Sequence, residues 1–164
     1  LETARISGLQ RPLIAAWMEG QMRFSCLFGR HDEISALNDK SLSELLAFEF
    51  QKSDVICVAG DRHGGSSGSQ LPFLGQMANT GTLAARCALL SEAAVLVVTC
   101  TRISPYRCRI NIGFPPEDGA QGDMTEVDFL TLQINRELER RILQFPEQWL
   151  WQQKRFIGEV DERL

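Results

Sequence analysis

The sequence lacks the features that mark several classes of protein. No uninterrupted apolar run reaches about 18 residues, so these 164 positions contain no predicted transmembrane helix. Positive charge is not in excess, because the formal net charge is −4. No overall basic field is available to attract nucleic acid or anionic lipid, which leaves only local basic patches. The five cysteines include no C-x-x-C spacing, which argues against a disulfide framework or a zinc site and favours a reducing compartment.

Several catalytic motifs are absent as well. The chain has no G-x-x-x-x-G-K-[ST] loop, no G-x-G-x-x-G that opens a helix and no G-x-S-x-G nucleophile elbow. Its two histidines, His31 and His63, have no acid five residues later. His31 lies in a charged segment typical of a solvated turn, and His63 stands beside glycines, where an exposed loop residue is the simplest interpretation.

The pattern of apolar residues predicts alternating strands and helices. Short apolar, β-branched runs predict buried strands over 54–61 and 93–103 and an outgoing strand over 107–114. Helices are predicted over 39–50, with Ser41 and Glu44 at capping-box spacing, and over 80–93. Together these elements predict an α/β fold with a mixed, mostly buried sheet flanked by helices.

A longer amphipathic helix follows. Asp123 is its predicted N-cap, and Glu137 and Arg141 are spaced to pair across one turn. Its apolar stripe consists of Val127, Leu130, Ile134, Leu138 and Ile142.

The segment AGDRHGGSSGS contains the candidate binding residues. It follows a predicted strand, and ligand sites of α/β sheets lie at the carboxyl ends of strands. Arg62 could bind an anionic group there while Asp61 orients it. The alternative is a flexible loop in which Asp61 caps backbone donors. Composition and spacing leave both interpretations open.

Three segments resemble the bacterial lipid A biosynthesis acyltransferase family, within the wider glycerophospholipid acyltransferases. They are VICVAGDRHGG with LPFLGQMANTGTLAARCA, AAVLVVTCTRISPYRCRINIGFPPE, and INRELERRILQFPEQWLWQQKRF. The resemblance covers residues 54–157 closely and 1–53 loosely. It implies a glycerol-phosphate-acyltransferase-like sandwich, incomplete at its N-terminus.

The resemblance implies transfer of a fatty acyl chain from acyl-carrier protein or acyl-CoA to a hydroxyl of a lipid or glycolipid, with no metal or other cofactor. An apolar groove along the sheet would hold the acyl chain. The family's His-x4-acid motif supplies the general base. The match of LETARISGLQRPL makes Glu2 its acid and places the histidine three residues before Leu1. We therefore expect residues 1–164 to be one domain, the C-terminal part of a longer enzyme with an upstream membrane anchor.

The same resemblance assigns substrate binding to Asp61 and Arg62. Arg30 is the nearest candidate for the family's intervening basic motif, with Lys40 weaker. Because G-D-R replaces the commoner D-x-D, the acceptor need not be a lipid A precursor. The implied location is the cytoplasmic face of the bacterial inner membrane, in contact with the membrane surface.

Two other functions remain open. Since the chain contains no His-x4-acid motif, it could be a non-catalytic lipid- or acyl-carrier-binding module on the same fold. A third, weaker alternative is a phosphate-ligand protein unrelated to acyl transfer.

Overall fold

The computed structural model describes residues 24–26, 34, 37–117, 119, 121–152 and 155–157. Its helices are α1 (Asp39–Lys52), α2 (Leu83–Ser91) and α3 (Glu126–Ile142), with 3-10 turns at Gly65–Ser67 and Pro146–Gln148. The strands are β1 (Phe24–Cys26), β2 (Val55–Cys57), β3 (Ser69–Phe73), β4 (Gln76–Thr80), β5 (Val97–Ser104) and β6 (Arg107–Gly113). β1 and β2 pair in parallel, whereas β3–β4 and β5–β6 are antiparallel hairpins. The mixed α/β class predicted from the sequence is confirmed.

Helix α1 begins one residue after its cap. The side chain of Asn38 accepts a hydrogen bond from the backbone N–H of Ser41 at 2.9 Å, so Asn38 is the N-cap and the proposed capping box was the wrong choice. Leu42 and Leu46 are buried on one face of the helix and belong to a small core that includes Leu83 of α2. This packing holds the two helices together beside β2.

Helix α3 supplies the larger core. It is capped by Thr125, whose hydroxyl accepts from the N–H of Asp128 at 3.1 Å, so the predicted cap two residues earlier was wrong. The apolar stripe is confirmed: its last three members are buried and its first two pack against them. The other buried members of this core are Phe73, Ala78, Ala85 and Val97.

The predicted pairing of Glu137 and Arg141 is also confirmed, at 2.8 Å, and Arg140 joins it at 2.7 Å. Burial by itself raises the pKa of Glu137, but the hydrogen bonds from Arg140 and Arg141 outweigh that effect and hold its pKa below the usual range. The carboxylate therefore stays charged inside the protein and ties the end of α3 together.

The β3–β4 hairpin was not predicted from the sequence. Its turn residues, Leu74 and Gly75, both have positive φ angles (49° and 79°), as a tight two-residue hairpin turn requires. The C-terminal tail runs along its outer edge, because the N–H of Asn79 donates to the carbonyl of Arg155 and that of Ile157 to Met77. The hairpin thus holds residues of the C-terminal tail in the core.

The β5–β6 hairpin is buried on one face only. Val97 and Thr101 are buried, whereas Val98 and Ile110 are each 57 % exposed. The predicted buried strand over 93–103 is therefore confirmed as a strand over Val97–Ser104, but it is buried on one face only. In the described part of the chain, no helix is long and apolar enough to cross a membrane.

Candidate functional site

The predicted site begins where β2 ends. Regular pairing stops at Cys57, and the chain bends at Gly60 and Asp61, where Asp61 is half-buried. Arg62 and His63 are exposed. The two neighbours at the predicted site therefore differ in environment, and only Asp61 is partly enclosed by the protein.

A buried arginine lies within electrostatic range of Asp61. Arg155, in the tail, is 0 % exposed. Its Nη2 donates to Asn135 Oδ1 at 2.8 Å and to Thr80 Oγ1 at 3.3 Å, and its guanidinium lies 3.8 Å from the centre of the Phe73 ring. Residues from α3, β4 and β3 thus converge on one cation.

The guanidinium is incompletely satisfied by this network. Its Nε and Nη1 are buried and have no hydrogen-bond partner among the described residues. Burial lowers the pKa of Arg155 to about 10, while the carboxylates of Asp61 and Glu139 act in the opposite direction. A pKa of about 10 keeps Arg155 positively charged at neutral pH. This buried charge attracts the Asp61 carboxylate to the end of β2.

Glu139 is fixed from the other side. Its Oε1 accepts a hydrogen bond from the backbone N–H of Leu74, at the turn of the β3–β4 hairpin. Two acids, one from the strand end and one from α3, therefore compensate one buried cation. Among the described residues, Arg155 makes no direct hydrogen bond to Asp61.

The Gly/Ser loop packs closely against β4. Asn79 joins the two segments, since its Nδ2 donates to the carbonyl of Gly65 at 3.0 Å and its own carbonyl accepts from the N–H of Gly64 at 3.2 Å. A Cβ on Gly68 would lie 1.9 Å from Asn79 Oδ1, and one on Gly64 would lie 2.4 Å from the Cα of Gly68. Gly64 and Gly68 are therefore required by close packing of the loop against β4.

His63 is part of that packing. Its Nδ1 accepts from the N–H of Gly65 at 3.0 Å, and its backbone forms an isolated bridge with Thr80. This contact anchors the loop next to the same threonine that binds Arg155.

An apolar cavity of about 800 Å³ lies on the other side of β2. It opens between α1, α2, β2 and the exposed face of β5–β6, where the sequence predicted an apolar groove. The volume is within the range of small-molecule sites. The lining residues are Leu46, Phe50, 54–58, Ala84, Cys87, Ala88, 91–96, Val98, Ile110, Ile112 and Phe114.

The wall of the cavity leads directly to the candidate site. Residues 55–58 line it, and Asp61 follows three positions later. On the opposite wall, burial raises the pKa of Cys87 to about 11, against a smaller lowering effect of Arg86. The interior is therefore apolar enough to disfavour a thiolate.

Two of the predicted site residues, Glu2 and Arg30, lie outside the described residues. The structure places Asp61 within electrostatic range of Arg155. The sequence matched Arg155 to the C-terminal segment of the family but predicted no role for it. Asn135 was missed, although a signal was present: Thr131 and Asn135 are polar residues at helical spacing beside the apolar stripe of α3. The described residues include no group of three or more His, Cys, Asp or Glu that could hold a metal ion.

Comparison with known proteins agrees with the resemblance in the sequence. Residues 12–157 match the family model described as bacterial lipid A biosynthesis acyltransferase. No curated protein matches the chain. The matched range includes β2, the Asp61 strand end, Arg155 and the three helices of the described residues. The chain therefore belongs to the bacterial lipid A biosynthesis acyltransferase family.

Proposed function

We propose that the protein is an O-acyltransferase that moves a fatty acyl chain from a thioester donor, acyl-carrier protein or acyl-CoA, to a hydroxyl of a lipid or glycolipid. The observation that carries the proposal is the apolar cavity of about 800 Å³, whose β2 wall leads to Asp61. Each methylene of a chain taken up there contributes about 0.8 kcal/mol of transfer free energy. The cavity thus supplies binding for the part of the donor that does not react.

The charged residues at the strand end receive complementary roles. Asp61 lies within electrostatic range of the buried Arg155 and would orient a substrate group or a neighbouring side chain at the strand end. Arg62 is exposed and free to meet an anionic group, either a phosphate of a substrate or the oxyanion of the tetrahedral intermediate. Arg30 is a second candidate for the same task.

The chemical step follows from general-base catalysis. A histidine of the His-x4-acid motif, with Glu2 as its acid, removes the proton of the acceptor hydroxyl. The oxygen attacks the thioester carbonyl, the C–S bond breaks, and the departing thiolate takes the proton back from the imidazolium. The products are an oxygen ester and a free thiol, and no covalent enzyme intermediate is required. In this proposal residues 1–164 form one domain, and the histidine precedes Leu1.

Membrane association completes the proposal. The lipid acceptor lies in a bilayer, so the enzyme works at a membrane surface. The location that we propose from the family is the cytoplasmic face of the inner membrane.

The proposal is tested by acyl transfer in vitro. The full-length protein, which carries the proposed histidine, is incubated with acyl-carrier-protein or CoA thioesters and a lipid acceptor. Its Arg62→Ala variant is compared with the control Lys52→Ala, which removes an exposed cation at the end of α1. Removal of an oxyanion-stabilising group lowers kcat by about 100-fold or more. We expect that loss in kcat/KM for Arg62→Ala and none for Lys52→Ala.

Each result has a distinct meaning. Equal activity of Arg62→Ala and wild type would show that Arg62 has no such role. Binding of the thioester without any ester product would favour the alternative, a non-catalytic lipid- or acyl-carrier-binding module.

A further inference from the structure

The β5–β6 hairpin has a charge opposite to that of the whole chain. Between residues 93 and 116 the charged residues are Arg102, Arg107 and Arg109, with no Asp or Glu, although the chain has a net charge of −4. All three arginines are exposed. None forms an ion pair with an acid in the described part of the chain. The hairpin therefore presents exposed positive charge that has no acidic partner among the described residues.

The end of the same hairpin exposes large apolar side chains. Tyr106, in the turn, is 98 % exposed, and Ile103 is 41 % exposed. A tyrosine with an apolar ring and a polar hydroxyl is favoured at the boundary between an apolar phase and water. Arginine beside such a ring adds a contact for an anionic headgroup.

This end of the hairpin is held in a defined position. The Nη1 of Arg102 donates to the carbonyl of Pro105 at 3.1 Å. The side-chain amide of Gln148 accepts from the backbone N–H of Arg102 at 2.8 Å and donates to its carbonyl at 3.0 Å. The tail segment attached there exposes Leu150 and Trp151, by 54 % and 48 %. Apolar and basic groups are thus kept together on adjoining segments.

We propose that the end of the β5–β6 hairpin, formed by Ile103, Tyr106, Arg102, Arg107 and Arg109, is a docking surface for an anionic lipid bilayer. Its combination of tyrosine, isoleucine and exposed arginines matches the headgroup region, where rings insert and guanidinium groups meet phosphates. Docking here brings the chain to the bilayer that holds the acceptor of the proposed reaction.

The test measures binding to vesicles. The 164-residue chain is sedimented with vesicles of phosphatidylcholine alone, or of equal parts phosphatidylcholine and phosphatidylglycerol. Each arginine near an anionic surface raises the partition coefficient about fivefold. We expect clear binding only to the anionic vesicles, a loss on the order of 100-fold in the triple variant R102Q/R107Q/R109Q, and abolition of the anionic preference in 1 M salt, where the Debye length is about 3 Å.

A second variant and a matched control separate the surface from general stickiness. The double variant I103S/Y106S keeps all charges and is expected to lose roughly tenfold in binding, because the inserting groups are gone. The control F48S/K52Q removes an exposed aromatic ring and its neighbouring cation, 3.4 Å apart, from helix α1 and is expected to bind as wild type does. Thermal unfolding of each variant verifies that the chain is folded.

Three results would overturn the proposal: equal binding to both kinds of vesicle, unchanged binding of the triple arginine variant, or an equal loss in the α1 control. A dependence on these arginines seen with acyl-carrier protein but not with vesicles would also overturn it, in favour of a protein partner. Because the experiment involves no acyl transfer, its failure is distinct from a failure of the proposed function.

Discussion

The glycine at position 68 offers a direct test of how the loop after β2 is built. Gly68 has φ −80° and ψ 154°, angles that alanine adopts without strain. A Cβ added there would lie 1.9 Å from Asn79 Oδ1, 2.6 Å from the Cα of Gly64 and 3.0 Å from its carbonyl carbon. The effect of Gly68→Ala is therefore steric rather than conformational.

The magnitude follows from what has to move. Asn79 can rotate away, but that breaks its hydrogen bond to Gly65, worth about 1 kcal/mol. The Gly64 backbone cannot rotate away, so the loop itself has to shift, and overpacking of this kind costs typically 1–3 kcal/mol. We expect Gly68→Ala to lower the free energy of unfolding by about 3 kcal/mol.

Gly65→Ala is the matched control in the same loop. Gly65 has φ +61°, and nothing lies within 4 Å of an added Cβ. Alanine at this position has to adopt the left-handed conformation, which lowers the free energy of unfolding by about 1 kcal/mol. For a chain of this length each kcal/mol lowers Tm by roughly 2–4 °C, so thermal and urea unfolding resolve the two variants.

If the loop were open and flexible, Gly65→Ala would lower the free energy of unfolding more than Gly68→Ala. If Gly68→Ala is as stable as wild type, or more stable than Gly65→Ala, the packed arrangement of the loop against β4 is wrong.

Three further predictions concern buried polar groups. Glu137→Gln should lower the free energy of unfolding by about 3 kcal/mol at pH 7, because Arg141, only 15 % exposed, loses its carboxylate. Because the pKa of Glu137 is lowered in the folded protein, the difference in unfolding free energy between wild type and variant should be full above pH 4.5. It should shrink as the pH falls through the folded pKa, and a difference that stays constant from acid to neutral pH would contradict this. Thr80→Val should cost about 1–3 kcal/mol in urea unfolding, because its hydroxyl accepts from both Asn135 and Arg155; a neutral effect would argue against the network. Burial raises the pKa of Cys87 to about 11, so its thiol should react with iodoacetamide at pH 8 more than 100-fold more slowly than a thiol of ordinary pKa. Peptide mass spectrometry follows the reaction. Comparable rates for Cys87 and the exposed Cys108 would show that the cavity wall is open to water.

The parts of the fold that the sequence predicts well are those with a strong periodic signal. Helix α3 has an apolar stripe over about four turns and a pair of opposite charges one turn apart, and the structure confirms both. Its exact start was less predictable, because Thr125 and Asp123 are both good caps and only local hydrogen bonds decide between them.

The β3–β4 hairpin shows why other elements escape prediction. Pro72 lies within β3 and Gln76 begins β4, so the segment lacks the regular apolar alternation of a strand. Its stability comes from distant partners instead: Asn135 donates to the carbonyl of Pro72, and the tail pairs with the outer edge through Phe156. Such non-local contacts leave no signal within the segment itself.

The candidate site was predictable only where its signal is local in the sequence. The abrupt change from apolar residues to Asp61 and Arg62 is visible in the sequence, and position at a strand end gives it meaning. The burial of Arg155 is not visible, since an arginine in a charged tail is normally exposed. Only the three-dimensional arrangement brings it under Phe73 and near Asp61.

The most direct test of the central claim, that the cavity beside β2 holds the acyl chain of a transferred donor, is the chain-length dependence of kcat/KM. Ala94 lines the cavity and is exposed, so Ala94→Phe fills space without disturbing the core; Ala47→Phe adds the same ring to an exposed position of α1 outside the lining. We predict that Ala94→Phe shifts the preferred thioester to shorter acyl chains, while Ala47→Phe keeps the wild-type profile. An unchanged profile in Ala94→Phe, with transfer intact, would contradict the account.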